Sequence, residues 1–219
     1  MPVISFATSK GGAGKTTSAI VLGTELGEGT QVIMIDADPA KRLTRWSTLA
    51  ALPAFLSVVT SRGERFIQDE ISDAQSKATF VLIDLEGSAS RLTSFAIAEY
   101  DLVIIPSGEE QQDADAAIET LAEIEMEGRA RRRAIPVAIL FARTSAAVKS
   151  KLEKHIHAEL MKVGRVMKTE LHRRTAFSSL HNAGGGLRQL DPADVNGIDK
   201  ALINAQAFAS EIIDILEET

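Results

Sequence analysis

The chain has 219 residues, of which 45% are apolar and 25% are charged, and its formal net charge is −6. These proportions are ordinary for a folded globular protein that is long enough to bury a sizeable core. The absence of cysteine excludes disulfides, thiolate metal ligands and iron–sulfur clusters held by cysteine. No run of 18 or more residues is apolar, so the sequence predicts no transmembrane span.

Short apolar segments alternate with helical patterns along the chain. Several of these segments are continuous apolar runs, as expected of strands that are buried on both faces. The alternation predicts one α/β domain over residues 1–219, with a mostly parallel, doubly wound sheet and helices on both faces. The predicted strands are Val3–Ala7, Gln31–Ile35, Phe55–Val59, Phe80–Leu85, Leu102–Pro106, Val137–Phe141 and Arg165–Lys168.

A glycine-rich loop follows the first predicted strand and opens a helical pattern that runs to about Leu26. A strand, a loop of this kind and a helix in that order form a phosphate cradle, because glycines let backbone N–H groups approach phosphate oxygens. Lys15 is predicted to reach the β- and γ-phosphates, and Thr16 to place its hydroxyl on Mg²⁺. The alternative is a glycine-rich turn with two incidental lysines. The predicted nucleotide-binding residues of this loop are Gly11, Gly12, Ala13, Gly14, Lys15, Thr16 and Thr17.

The second and fourth predicted strands end on carboxylates. Asp36 and Asp38 stand two residues apart after Ile33–Ile35, so both can lie beside the phosphates at the end of that strand. Asp38 can equally cap a helix that has Pro39 at its first position, and the two interpretations are compatible. Asp84 follows four apolar residues, as in a Walker B strand whose acid holds a Mg²⁺-bound water.

Three later segments have helical periodicity. Gln111–Glu127 carries an apolar stripe, and Ala146–Met161 is predicted to turn four apolar residues inward and its lysines elsewhere. Ile198–Leu216 is amphipathic with an acidic polar face, so we expect it to pack on the core rather than bind anionic lipid. The predicted inward residues are Ala114, Ala117, Ile118, Leu121 and Ile124; Val148, Leu152, Ile156 and Leu160; and Ile198, Leu202, Ala205, Phe208, Ile212 and Ile215.

Charge is distributed unevenly along the chain. Residues 129–174 contain thirteen Lys or Arg and three acids, which gives +10 and leaves −16 for the remainder. Residues 92–128 contain ten acids and no Lys or Arg. A basic block in an acidic protein can bind nucleic acid, although solvated helix faces produce the same pattern. The acidic stretch has the same two interpretations, a docking face or a solvated surface.

The form Lys10-Gly-Gly-x-Gly-Lys-Thr-Thr resembles the deviant Walker A motif of the ParA/MinD family of ATPases, and the segment from Asp36 to Trp46 resembles the VirC-type branch of ParA relatives. The resemblance implies an ATP-sandwich homodimer with Lys10 acting in trans. It also implies that Asp38 orients the attacking water and that Asp36 supports Mg²⁺ through its water shell. Because no strong general base is evident, hydrolysis of ATP should be slow, which suits a switch.

The resemblance also implies partners. ParA proteins bind double-stranded DNA non-specifically through basic residues of their C-terminal half. Arg143 stands where the family often has an adenine-contacting Asn. We therefore expect a cytoplasmic, nucleoid-associated protein that positions or segregates DNA, in partition or conjugative transfer, with a ParB-like or relaxosome-type activator. The alternatives are a MinD-like ATPase that cycles on membranes and a metabolic ATP-dependent enzyme. The candidate DNA contacts are Lys149, Lys151, Lys154, Arg173 and Arg174.

Overall fold

The computed structural model describes residues 1–86 and 100–218 of the chain. Within these ranges strands and helices alternate, as the apolar pattern predicts. The strands are β1 (Val3–Phe6), β2 (Val32–Asp36), β3 (Leu56–Thr60), β4 (Phe80–Asp84), β5 (Leu102–Ser107), β6 (Val137–Thr144) and β7 (Leu171–His172). The α-helices are α1 (Lys15–Leu26), α2 (Arg42–Ser47), α3 (Ile67–Lys77), α4 (Gln111–Arg131), α5 (Lys151–Val163), α6 (Thr175–Ala183) and α7 (Ile198–Glu217).

The described strands form one parallel sheet in the order β3-β2-β4-β1-β5-β6-β7. The central strands are buried on both faces, since every residue of β1 and β5 is buried. The strands β2, β3 and β4 lie on one side of β1, with β4 directly beside it. The strands β5, β6 and β7 follow on the other side of β1. This change of side leaves a crevice at the carboxyl end of β1, where doubly wound sheets bind their ligands.

Two apolar layers cover the sheet. Side chains of α1, α2, α6 and α7 pack on one face around Phe6, Trp46 and Phe208. Side chains of α3, α4 and α5 pack on the other face around Ile71, Leu121 and Ile156. The alternating side chains of the central strands supply both layers, so the centre of the sheet is closed to solvent and functional groups lie at the strand ends.

The register of the sheet brings the predicted carboxylates together. Asp84 of β4 pairs with Phe6 of β1 on one side and with Asp36 of β2 on the other. The glycine-rich loop leaves β1 directly after Phe6. The loop and both carboxylates therefore share one edge of the sheet, where the sequence analysis expects a common site.

The prediction of a strand at Arg165–Lys168 was wrong. Only an isolated bridge joins Val166 to Ile139, and the seventh strand is the short pair Leu171–His172. The backbone N–H groups of Lys168 and Thr169 donate to the carboxylate of Glu211 on α7 instead of to a neighbouring strand. A side chain distant in sequence thus takes the donors that a longer strand would use.

Parts of the predicted helix faces were also wrong. The helix predicted from Ala146 begins at Lys151, where Ser150 and Glu153 form a capping box. Val148 precedes it and is 93% exposed, and Leu152 is 59% exposed, whereas Ile156 and Leu160 are buried as predicted. On α4 the predicted inward residue Ile118 is 36% exposed.

The C-terminal helix packs on the core as expected. Its residues Ala205, Phe208, Ile212 and Ile215 are buried in the apolar layer that also contains side chains of α1. The apolar face that a membrane-binding helix would need is therefore occupied. In the described part of the chain, no helix has the length and apolar content needed to span a bilayer.

Candidate functional site

The glycine-rich loop joins β1 to α1 with backbone that suits glycine. Gly12 and Gly14 have φ of +79° and +106°, and Gly14 is the residue before the first turn of α1. A Cβ on Gly14 would lie 3.4 Å from the Cβ of Ala142 on β6, so the loop rests on the end of that strand. The loop therefore presents the N-terminus of a buried helix, a favourable place for a phosphate group.

Lys15 and Thr16 begin the helix, and both are buried. The Thr16 hydroxyl donates to Asp84 Oδ2 over 2.7 Å. Burial lowers the pKa of Lys15, while Asp84 and Asp38 oppose that effect. The bond joins two residues 68 positions apart that the sequence analysis assigns to the same Mg²⁺ site.

Asp84 is the carboxylate best suited to hold a cation. Its Oδ1 is buried and has no hydrogen-bond partner within residues 1–86 and 100–218. Burial raises the pKa of Asp84 to about 7; the Thr16 hydroxyl lowers it and the charge of Asp36 raises it. A buried oxygen without a donor, beside a hydroxyl and a second carboxylate, fits the oxygen ligands that Mg²⁺ prefers.

Asp36 has a different environment. Its Oδ2 accepts from the Thr44 amide over 2.7 Å and from the Thr44 hydroxyl over 2.6 Å, and its Oδ1 accepts from the Asp38 amide over 3.2 Å. These bonds tie the first turn of α2 to the end of β2. Asp36 therefore fixes the segment that carries Asp38, in addition to its predicted contribution to the metal site.

Two predicted catalytic side chains form ion pairs within the chain. Asp38 is 7% exposed and pairs with Arg42 at 3.0 Å, while its other oxygen accepts from the Ala40 amide. Lys10 pairs with Asp113 of α4 at 2.6 Å. The sequence analysis missed both partners. The spacing of four residues on a helix start signals Asp38–Arg42, but no local pattern signals Lys10–Asp113.

Two clefts flank the glycine-rich loop. One has a volume of about 530 Å³ and is lined by Lys10, the loop glycines, Glu109, Asp113 and Arg143, among others. The other has a volume of about 420 Å³ and lies between the loop and α6. Arg143 borders both clefts, and its guanidinium donates to the Gly12 carbonyl over 2.5 Å. The predicted nucleobase residue thus contacts the loop itself.

Two histidines that the sequence analysis missed lie on the smaller cleft. His181 of α6 lies 2.8 Å from the Thr17 hydroxyl, and His172 lies 2.8 Å from the Thr144 hydroxyl. Burial lowers the pKa of His181, and the charge of Arg42 lowers it further. Because a neutral imidazole can both donate and accept, His181 can hold the Thr17 hydroxyl beside the loop.

The predicted DNA contacts have three different environments. Lys151 and Lys154 are exposed on the first turn of α5. Arg173 and Arg174 line the smaller cleft beside the glycine-rich loop, and Arg173 also lines the larger one. Lys149 is enclosed by Glu109, His157 and Glu170.

The partners of Lys149 argue against a role in DNA binding. Its ammonium contacts Glu170 and His157, lies 3.6 Å from Glu109, and sits over the Phe141 ring, on which His157 also stacks. Two carboxylates already neutralise this charge inside the fold. The prediction that Lys149 points away from the core was wrong, because acids from the β5–α4 loop and from the segment before β7 converge on it.

A parallel sheet with a phosphate-binding loop after its central strand, an early lysine in that loop and carboxylates at the ends of the neighbouring strands defines a P-loop NTPase of the ParA/MinD type. The model of the VirC1 protein family matches residues 1–190. The chain belongs to this family.

Curated relatives and solved structures agree with the assignment. Protein ParA of Rhizobium radiobacter is 38% identical over 220 residues, which span all of this chain and 99% of that protein. Protein virC1 of the same organism is 30% identical over 193 residues, which span 84% and 82% of the two chains. A plasmid partition protein from Borrelia burgdorferi bound to AMPPNP has the same fold, with a TM-score of 0.72, 18% identity and coverage of 97% and 98%. The Aquifex aeolicus MinC:MinD complex gives a TM-score of 0.72 at 16% identity, with coverage of 98% and 96%.

Proposed function

We propose that this protein is a slow Mg²⁺-dependent ATPase that forms an ATP-dependent sandwich homodimer, binds double-stranded DNA non-specifically and thereby positions or segregates DNA. The observation that carries the proposal is the contact of the Thr16 hydroxyl with Asp84, beneath the glycine-rich loop and beside buried Lys15. An ATP phosphate site needs the loop, Lys15, Thr16 and Asp84 close together, and their proximity at the strand ends supports the proposal.

Within this site each residue has a distinct task. The N–H groups of the loop and the Lys15 ammonium hold the phosphates, and Asp38 orients the attacking water. Thr16 and Asp84 would hold Mg²⁺, with Asp36 behind them, and the ion would neutralise charge on the β- and γ-phosphates. Because the sequence motifs supply no strong general base, hydrolysis would be slow.

Dimerisation would require an exchange of ion pairs. Lys10 pairs with Asp113 in the single chain, and its side chain is 32% exposed at the mouth of the larger cleft. To act in trans, Lys10 would break its ion pair with Asp113 and bind the nucleotide of the partner subunit. A triphosphate carries more negative charge than one carboxylate, so ATP favours this exchange and its hydrolysis weakens it.

The DNA contacts that best fit the fold are Lys151 and Lys154. Both are exposed at the start of α5, and their acidic neighbour Glu153 is engaged in the capping box. Lysines of this kind bind phosphate without reading sequence, so the protein would associate with the nucleoid in the cytoplasm. A ParB-like or relaxosome-type protein would act as the activator of hydrolysis.

The test is binding to random-sequence double-stranded DNA with ATP, with ADP and without nucleotide, at low and moderate salt. We expect binding only with ATP, and an affinity that falls steeply with salt. Lys10→Ala should bind ATP but neither dimerise nor bind DNA, whereas Lys151→Ala/Lys154→Ala should dimerise with ATP but lose DNA. Lys77→Ala, at an exposed pair with Asp73, is the matched control. DNA binding that is independent of nucleotide, or a Lys10→Ala protein that dimerises on ATP, would contradict the proposal.

A further inference from the structure

Arg143 has a backbone conformation that its side chain type disfavours. Among the described residues, Lys41, Arg132 and Arg143 are the non-glycine residues with positive φ, and Arg143 has a φ of +63°. The left-handed region brings the Cβ of an L-residue too close to the neighbouring carbonyl oxygen. Such conformations persist where the surrounding structure requires them, and they cluster at ligand sites.

The position of Arg143 in the sheet explains this conformation. Ala142 pairs with Leu171 and Thr144 pairs with His172, so two residues of β6 are matched by one residue of β7. Arg143 is the additional residue of this β-bulge. A bulge directs one side chain away from the alternation of its strand, and here it directs the guanidinium to the Gly12 carbonyl.

The hydrogen bond from Arg143 fixes one peptide plane of the glycine-rich loop. The Gly12 carbonyl and the Ala13 N–H belong to the same planar, trans peptide, so they point in opposite directions. Glycine at position 12, with φ of +79°, offers little steric resistance to rotation of that plane. A rotated plane would present an oxygen, and not an N–H group, to the phosphates.

We infer that Arg143 is a positioning residue, which holds the Gly12 carbonyl and thereby keeps the Ala13 N–H directed at the nucleotide phosphates. This role differs from the nucleobase contact that the sequence predicts for Arg143, because it acts through the loop and is independent of the base. The inference rests on the proposed ATP site. It explains why arginine occupies a left-handed bulge position at which glycine would be less strained.

The test uses Arg143→Gly, which removes the guanidinium and suits the left-handed backbone. Binding of Mg²⁺-ATP and of Mg²⁺-tripolyphosphate, which has phosphates but no base, is measured by calorimetry. We expect both dissociation constants to rise by about tenfold, the usual cost of one charge-assisted hydrogen bond. The melting temperature should not fall. Arg143→Asn, which also tolerates this backbone, should behave in the same way.

The matched control is Arg132→Gly. Arg132 has a φ of +56° and ends α4, whose first turn contains the Lys10 partner Asp113. Arg132→Gly therefore relieves the same kind of backbone strain, but at the opposite end of α4 from Asp113. Both dissociation constants should keep their wild-type values.

A second measurement separates positioning from direct contact with phosphate. In the nucleotide-free protein, NMR relaxation dispersion of the Ala13 amide should reveal exchange in Arg143→Gly that is absent from the wild type and from Arg132→Gly. Unchanged binding of both ligands, weaker binding of ATP alone, or an Ala13 amide without exchange would each overturn the inference. A wild-type protein that binds neither ligand would refute the proposed ATP site instead.

Discussion

Asp84→Asn should stabilise the nucleotide-free protein while abolishing its Mg²⁺-dependent binding of ATP. Asp84 is 1% exposed, and burial raises its pKa from 3.8 to about 7. The folded chain therefore binds one proton more than the unfolded chain between these pH values, and stability falls as pH rises through that window. At 1.36 kcal/mol per pH unit, the ionised carboxylate costs about 4 kcal/mol above pH 7. Asparagine avoids this cost and can still accept the Thr16 hydrogen bond.

Urea unfolding at pH 5, 6, 7 and 8, without Mg²⁺ or nucleotide, measures the effect. The wild-type protein should lose stability relative to Asp84→Asn at each step, with most of the difference present by pH 7. Asp73→Asn removes an exposed partner of Lys77 and should show neither a gain nor a pH dependence. A variant that is less stable than the wild type at pH 8, or a stability difference that does not change with pH, would refute the conclusion that burial raises the pKa of Asp84.

Three further outcomes test the site and the fold. Asp113→Asn frees Lys10 from its ion pair, so light scattering should detect ATP-dependent dimers at a several-fold lower protein concentration; an unchanged threshold would show that the pair does not hold Lys10 back. Asp38→Ala should slow phosphate release and accumulate dimer, and unchanged turnover would remove Asp38 from the hydrolytic step. Gly184→Ala should cost about 2 kcal/mol or more in urea unfolding, because φ is +73° and a Cβ would lie 2.7 Å from backbone. Gly63→Ala, with φ of +104° and open space, should cost only about 1 kcal/mol, and equal losses would contradict the steric reasoning.

The sequence was sufficient for the six strands β1 to β6 and for the position of the carboxylates at their ends. Strands that are buried on both faces are continuous apolar runs, so they can be located in the sequence without knowing which strands they pair with. Each carboxylate follows its strand directly, and the parallel register then aligns Asp36 with Asp84. The motifs assign Thr16 and Asp84 to the same predicted Mg²⁺ site, and the structure adds a direct hydrogen bond between them.

Contacts between distant segments could not be predicted in this way. Glu211 takes the backbone donors of Lys168 and Thr169, and this contact replaces the strand that the apolar pattern around Val166 suggested. Lys149 looked like a surface charge, since nothing near it in sequence shows that Glu109 and Glu170 enclose it. In both cases a charged side chain more than twenty positions away determines the local structure, and periodicity carries no information about such a partner.

Lys10 and Asp38, to which we assign roles in hydrolysis, both form ion pairs within the single chain. Asp113 of α4 pairs with Lys10, and Arg42 of α2 pairs with Asp38. In each pair the basic side chain is partly exposed, 32% for Lys10 and 62% for Arg42. Exchanging either ion pair for a stronger one therefore costs little free energy. In the proposed dimer, a nucleotide and a second subunit would bring such partners together. In the cycle that we propose, the ion pairs of the free chain would keep Lys10 and Asp38 from the nucleotide until nucleotide and partner subunit had both bound.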